Sequence, residues 1–142
     1  MSLRPCKGKW LTRWYPRTAS VTFTFGDLVM FTSGLVATAT AQSTKHLGII
    51  LTAVTSGDSN FATAAVKVPV AVPAEVTCEF EADVTGTLLT TDLEGQFDMS
   101  TAGLVNQDGT TSKVVTCKGF ISTAKGRFSL NSNLDFADAS WE

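Results

Sequence analysis

Charge is scarce in this chain: Asp, Glu, Lys and Arg make up 17% of its 142 residues, against about 25% in ordinary soluble domains. Histidine and tyrosine occur once each, proline four times and cysteine three times. Cys6, Cys78 and Cys117 are far apart and form no Cys-x-x-Cys pair. Together with His46 they are too dispersed to read as a structural zinc site, which needs about four ligands at short spacings. Cys78 and Cys117 are expected to be small buried residues, free or paired. The chain is long enough for a real core, so no disulfide scaffold is required. Apolar runs such as Leu28–Phe31 fall far short of the roughly 20 residues of a membrane-spanning helix. The basic N-terminal stretch lacks the apolar segment of a secretory signal, so the chain is expected to stay where it is made.

What charge there is lies unevenly. Arg4, Lys7, Lys9, Arg13 and Arg17 give +5 before the first acid, Asp27, and the rest holds 6 basic and 13 acidic side chains, or −7. Phosphate neutralisation dominates nucleic-acid affinity, and the remaining cations are too diluted by acids for that role. Residues 1–19 show neither helical nor strand periodicity, with Pro5, Gly8 and Pro16 as breakers. They read as an extended arm, separate from a domain over 20–142 and removable up to residue 17 without unfolding it.

Beyond the arm, period-two alternation dominates. Val21, Phe23 and Phe25 alternate with threonines; Leu28–Phe31 and Leu35–Thr38 flank a Ser33-Gly34 turn. His46–Val54 reads as a strand whose Gly48 marks a bulge or close backbone approach. Val66–Val72 alternates through Pro69, which removes a ladder donor and predicts an edge strand. Val76, Cys78, Phe80, Ala82 and Val84 form the clearest inward face, with Glu79, Glu81 and Asp83 outward. Thr87–Leu93 reads as one helical turn; Phe97–Met99, Leu104–Asn106, Val114–Ile121 and Arg127–Leu130 read as short strands. Gln107–Thr110 is expected to join two of them as a tight hairpin. No internal repeat is evident. The expected class is all-β, a small β-barrel or β-sandwich with an extended N-terminal arm.

Candidate chemistry is thin. His46 has no Gly-x-Ser-x-Gly elbow to serve, and the glycines fall at turns rather than in a phosphate-binding pattern. Glu79, Glu81 and Asp83 make an acidic stripe, the ordinary solvent face of a strand rather than a buried carboxylate pair. Neither catalysis, cofactor nor metal is expected. Phe23, Phe25, Phe80, Phe120 and Phe128 are expected to pack inward. Trp10, Trp14 and Trp141 lie at the chain's ends, where exposed tryptophans cost solubility unless they dock on something. The expected protein–protein surface is therefore Arg4, Lys7, Lys9, Trp10, Leu11, Arg13, Trp14, Tyr15 and Arg17 on the arm, Trp141 at the tail, and Glu79, Glu81 and Asp83 as acceptors of a cationic arm from a neighbouring subunit. Folding back of the arm onto its own barrel is the alternative.

Phe25-Gly26-Asp27-Leu28-Val29, Ser33-Gly34-Leu35-Val36, Ala41-Gln42-Ser43 and Leu47-Gly48-Ile49-Ile50, with Phe80-Glu81-Ala82-Asp83, Phe97-Asp98-Met99 and the run Cys117–Phe128, resemble tailed-phage capsid decoration proteins, also called head-stabilising or cement proteins. The resemblance spans roughly residues 20–134. It implies a β-tulip-like subunit that forms homotrimers on the outer face of an icosahedral head, contacts the major capsid protein and needs neither nucleic acid nor membrane. It further implies a protein made in the host cytoplasm and carried on the virion. The alternatives are a β-sandwich module that binds carbohydrate or a receptor, and another phage head or tail subunit.

Overall fold

A computed structural model describes residues 3–39, 46–75, 77–110 and 113–131. The chain is all-β. Its strands are β1 (Arg4–Lys7), β2 (Trp10–Pro16), β3 (Leu28–Thr32), β4 (Leu35–Thr38), β5 (Gly48–Ile50), β6 (Lys67–Pro73), β7 (Glu79–Thr85), β8 (Gln96–Thr101), β9 (Leu104–Asn106), β10 (Val115–Ser122) and β11 (Lys125–Leu130), with a 3-10 turn at Thr90–Asp92.

The strands divide into two sheets of five with β1 added to the second. In the second sheet β7 pairs with β11, β11 with β10, β10 with β8 and β8 with β9, and β9 returns to β7 in parallel, closing a five-stranded barrel. The first sheet runs β2-β6-β5-β3-β4. Its ends meet where Arg17 and Val36 form a parallel bridge and where Thr18 donates its N–H and its hydroxyl to the Val36 carbonyl, both at 3.0 Å. Counted within each unit, both sheets have the order first-fifth-fourth-second-third, with the third strand returning parallel to the first. The chain is thus a tandem duplication of one small barrel topology, and the expectation of no internal repeat is corrected. A trace survives in the sequence: residues 30–36, Met-Phe-Thr-Ser-Gly-Leu-Val, and residues 99–105, Met-Ser-Thr-Ala-Gly-Leu-Val, agree at five of seven positions. They build equivalent hairpins, with Thr32 opposite Leu35 and Thr101 opposite Leu104. Ser33 (φ 53°) and Gly34 (φ 80°) supply the two positive φ angles of a type I′ hairpin turn.

Each barrel has its own interior. Phe23, Val29, Val36, Leu47, Ile50, Val54, Val68, Val70 and Val72 fill the first. Phe80, Ala82, Val84, Leu88, Phe97, Met99, Val105, Val115, Cys117, Phe128 and Leu130 fill the second. The intervening residues of the first barrel, Leu28, Ile49 and Ala71, point the other way and join the second barrel's cluster together with Leu3. At the same seam, the Leu28 N–H donates to the Ala102 carbonyl at 2.8 Å. Leu3, Leu28 and Ile49 are at most 1% exposed, and at about 1.5–3 kcal/mol for each such side chain the seam holds the barrels together.

Several expectations change. Residues 4–7 and 10–16 are extended but lie within the chain's own sheets as β1 and β2, so the division into an arm over 1–19 and a body over 20–142 gives way to two barrels strapped by β1. β6 is interior to its sheet, between β2 and β5. Pro69 is tolerated because its carbonyl accepts from Leu51 on the side where β5 has already ended at Ile50, so no ladder donor is missed. Gly48 is a close approach: a Cβ there would lie 2.1 Å from the Ala71 carbonyl oxygen. Residues 21–25 form only the bridge from Phe23 to Val54, because a turn closed by Asp27 on Thr24, with Gly26 at φ 90°, ends the run and leaves Phe25 55% exposed. β10 pairs with β8 and β11, not with β9, so Gln107–Thr110 is a crossing loop and not a hairpin.

Candidate functional site

The acidic stripe on β7 is neutralised by the chain's own cations. Because β1 is antiparallel to β7 with Arg4 opposite Glu81 and Lys7 opposite Glu79, Arg4 donates to the Glu81 carboxylate and Lys7 Nζ lies 3.6 Å from Glu79 Oε2. From the other side β11 brings Arg127 Nη1 to 3.9 Å from Glu79 Oε1 and Lys125 to 3.9 Å from Asp83. Glu79 is buried, which corrects its expected outward position: β1 covers it. The basic segment does meet the acidic stripe, but within one chain.

The remaining arm residues separate into structural and surface groups. Arg17 is 1% exposed; its guanidinium donates to the backbone carbonyls of Asn60 (2.8 Å), Phe61 (3.3 Å) and Thr18 (3.3 Å). It pins the loop between β5 and β6 to the end of β2 and is no docking residue. Tyr15 is half-buried, edge-on to Phe31 with centroids 5.1 Å apart. Trp10 packs on the seam and donates its indole N–H to the Lys7 carbonyl at 3.0 Å. Leu11 is half-buried, while Lys9 and Arg13 are exposed. The Lys9 carbonyl accepts from the Cys78 thiol at 3.1 Å. Only Trp14 among these aromatics stands in water, 61% exposed. Trp141 lies outside the described residues.

Trp14 shares the outer face of its sheet with Pro69, directly opposite, and with Lys67, two residues along β6. A second apolar cluster lies on the other barrel. Segment 88–95 is laid along β10 by hydrogen bonds from Leu88 N–H to the Thr123 carbonyl, Glu94 N–H to the Cys117 carbonyl and Cys117 N–H to the Gly95 carbonyl. Leu89 (50%), Leu93 (47%), Phe120 (37%) and Ile121 (45%) are exposed along this strip. Asp92 and Glu94 flank it, the latter paired with Lys118 at 2.9 Å. Of the five phenylalanines expected inside, Phe23, Phe80 and Phe128 are buried, whereas Phe25 and Phe120 are exposed. The signal for Phe120 was its neighbour: alternation can place only one of Phe120 and Ile121 inside, and register shifts along β10 turn both outward. Leu89 and Leu93 lie in a segment whose polar, turn-rich composition conceals them.

Cys78 and Cys117 are free and buried, and Cys6 is free and exposed. Partial desolvation of the otherwise exposed Cys6, followed by the charges of Glu81 and Glu79, pushes its thiol up; burial does the same to Cys117. His46 is 1% exposed at the head of β5. Among the described residues no group of three or more His, Cys, Asp or Glu is placed to hold a metal ion, and no helix is long and apolar enough to cross a membrane. No protein-family model matches the sequence, and no curated protein matches it with significance.

Proposed function

We propose that this chain is a structural virion protein, a decoration subunit that binds the outer face of an icosahedral phage head as a homotrimer and braces contacts between major capsid proteins. The observation that supports this reading is the surface inventory: acids and cations pair within the chain, while among the described residues six large apolar side chains, Trp14, Phe25, Leu89, Leu93, Phe120 and Ile121, stand in water. Exposed apolar clusters rimmed by polar residues mark protein contact surfaces. The tandem barrel with a shared seam suits a rigid clamp, which can resist load only if its halves do not move apart. The resemblance of residues 20–134 supplies the capsid as partner.

The test is cosedimentation with heads of the virus that encodes the chain, stripped of or lacking their decoration. Saturable binding together with a rise in the temperature at which the heads rupture is the expected result; pelleting no better than an unrelated β-barrel protein refutes it. A second reading, a carbohydrate-binding module, draws on the exposed aromatic rings of Trp14, Phe25 and Phe120, since such rings can stack on sugars. Glycan binding lost in Trp14→Ala, with no binding to heads, would decide for it.

A further inference from the structure

The two exposed apolar clusters differ in surroundings, and the difference follows the division into barrels. The first barrel's residues 8–73 carry 5 basic and 2 acidic side chains, net +3, and β1 together with residues 74–142, which build the second, carries 6 basic and 11 acidic, net −5. Trp14 belongs to the first half, beside Lys67 on the outer face of β2 and β6. Leu89, Leu93, Phe120 and Ile121 belong to the second, on the strip that also carries Asp92 and the Glu94–Lys118 pair.

We propose that copies of this chain bind head to tail, with the Trp14 face of one copy seated on the Leu89, Leu93, Phe120 and Ile121 face of the next. Like-to-like pairing would set two barrels of the same sign against each other, whereas head-to-tail pairing sets +3 against −5; like-charge juxtaposition at an interface is costly and opposite charge steers encounter. A tryptophan is the residue type most often found to anchor an interface, packed into an apolar recess on the partner. An interface made of two different patches is heterologous, so it closes into a ring where the rotation allows and otherwise runs on. The contact deepens the trimer proposed above and rests on its claim that the chain self-associates; it adds which surfaces meet.

The experiment uses two full-length variants, Trp14→Glu to spoil the head and Ile121→Lys to spoil the tail. Both positions are exposed, at 61% and 45%, so each variant should melt within a few degrees of the parent; Trp14→Thr and Ile121→Thr replace any that does not. Light scattering is run at concentrations on the order of 100 μM, above a micromolar Kd. The expected result is an assembly for the parent, 15.1 kDa monomers for each variant alone, and a dimer on mixing, because the mixture retains one intact head and one intact tail. A monomeric parent, variants that keep the parent's mass, or a mixture that stays monomeric each overturns the proposal. Head binding by a monomeric parent would leave the capsid reading standing while removing this contact.

Discussion

Replacing Arg17 with methionine keeps the length and apolar stem of the side chain and removes its five donors. The guanidinium is 1% exposed and makes three hydrogen bonds, to the carbonyls of Asn60, Phe61 and Thr18. Two of the three acceptors are more than 40 residues away, so the bonds close a long loop as well as satisfying buried groups. Hydrogen bonds to a charged donor contribute about 1.5–3 kcal/mol each, offset by the cost of desolvating the cation. Because Asn60 and Phe61 lie on a loop that can open to water, the net loss should be about 2–4 kcal/mol rather than the full sum. Arg17→Lys should recover part of it, since an ammonium donates from one point and does not span the spread of a guanidinium. Urea unfolding monitored by tryptophan fluorescence gives the magnitude. Hydrogen exchange should show the loss of protection concentrated in residues 56–66. Stability of the methionine variant within about 0.5 kcal/mol of the parent, the range of an ordinary surface substitution, would refute the argument.

Gly48→Ala should abolish soluble folded protein or lower stability by at least about 3 kcal/mol, because the added Cβ would lie 2.1 Å from a backbone oxygen; a parent-like thermal melt would show that the strands can part. Deletion of residues 1–17 should unfold the first barrel, since it removes all of β2, the partner of β6; a soluble truncation with parent-like circular dichroism would count against that pairing. Burial pushes the Asp27 carboxyl up, opposed by a backbone hydrogen bond from Thr24. The folded state therefore holds this proton to higher pH than the unfolded chain, and the group's contribution falls as pH rises from the ordinary carboxylate value through the raised one. Asp27→Asn should remove that decline, read as the slope of unfolding free energy against pH above the ordinary carboxylate value; an unchanged slope would refute it.

The secondary structure was legible where alternation was the governing constraint. Cys78, Phe80, Ala82 and Val84 are buried as their spacing requires, and the Ser33-Gly34 turn and the helical turn before Leu93 fall where their residues point. Tertiary pairing was not legible in the same way. Pro69 sits in an interior strand only because β5 stops short of it, and strand ends are set by partners remote in sequence. Arg17 read as one of five cations on a free arm because its acceptors are backbone carbonyls, which carry no sequence signature. The repeated topology is legible in one seven-residue stretch with five identities and is otherwise obscured, since the two barrels preserve strand order while their loops and registers differ. The apolar surface was half legible: Trp14 was marked by its position, whereas Phe120 and Ile121 were masked by an alternation that register shifts in β10 break.

The duplicated barrels are not independent domains, and this can be tested by cutting the chain. A chain ending at residue 73 would expose Leu3, Leu28 and Ile49, now at most 1% exposed, and would leave β1 with no strand to pair. Three such side chains correspond to about 5–9 kcal/mol of burial. A barrel of this size rarely holds more than about 3–5 kcal/mol on its own. The complementary chain from residue 74 loses the same contacts from its side and uncovers Glu79. Neither half should therefore give a cooperative melt alone. Mixed, the halves carry +5 and −7 and present matching strands, so they should reconstitute a complex with the parent's circular dichroism. The electrostatic share of that association should weaken as salt rises from about 0.05 to 0.5 M. A cooperative transition in either half alone would mean that the seam is dispensable to the barrels. The duplication would then be two domains in contact rather than one unit with a shared core.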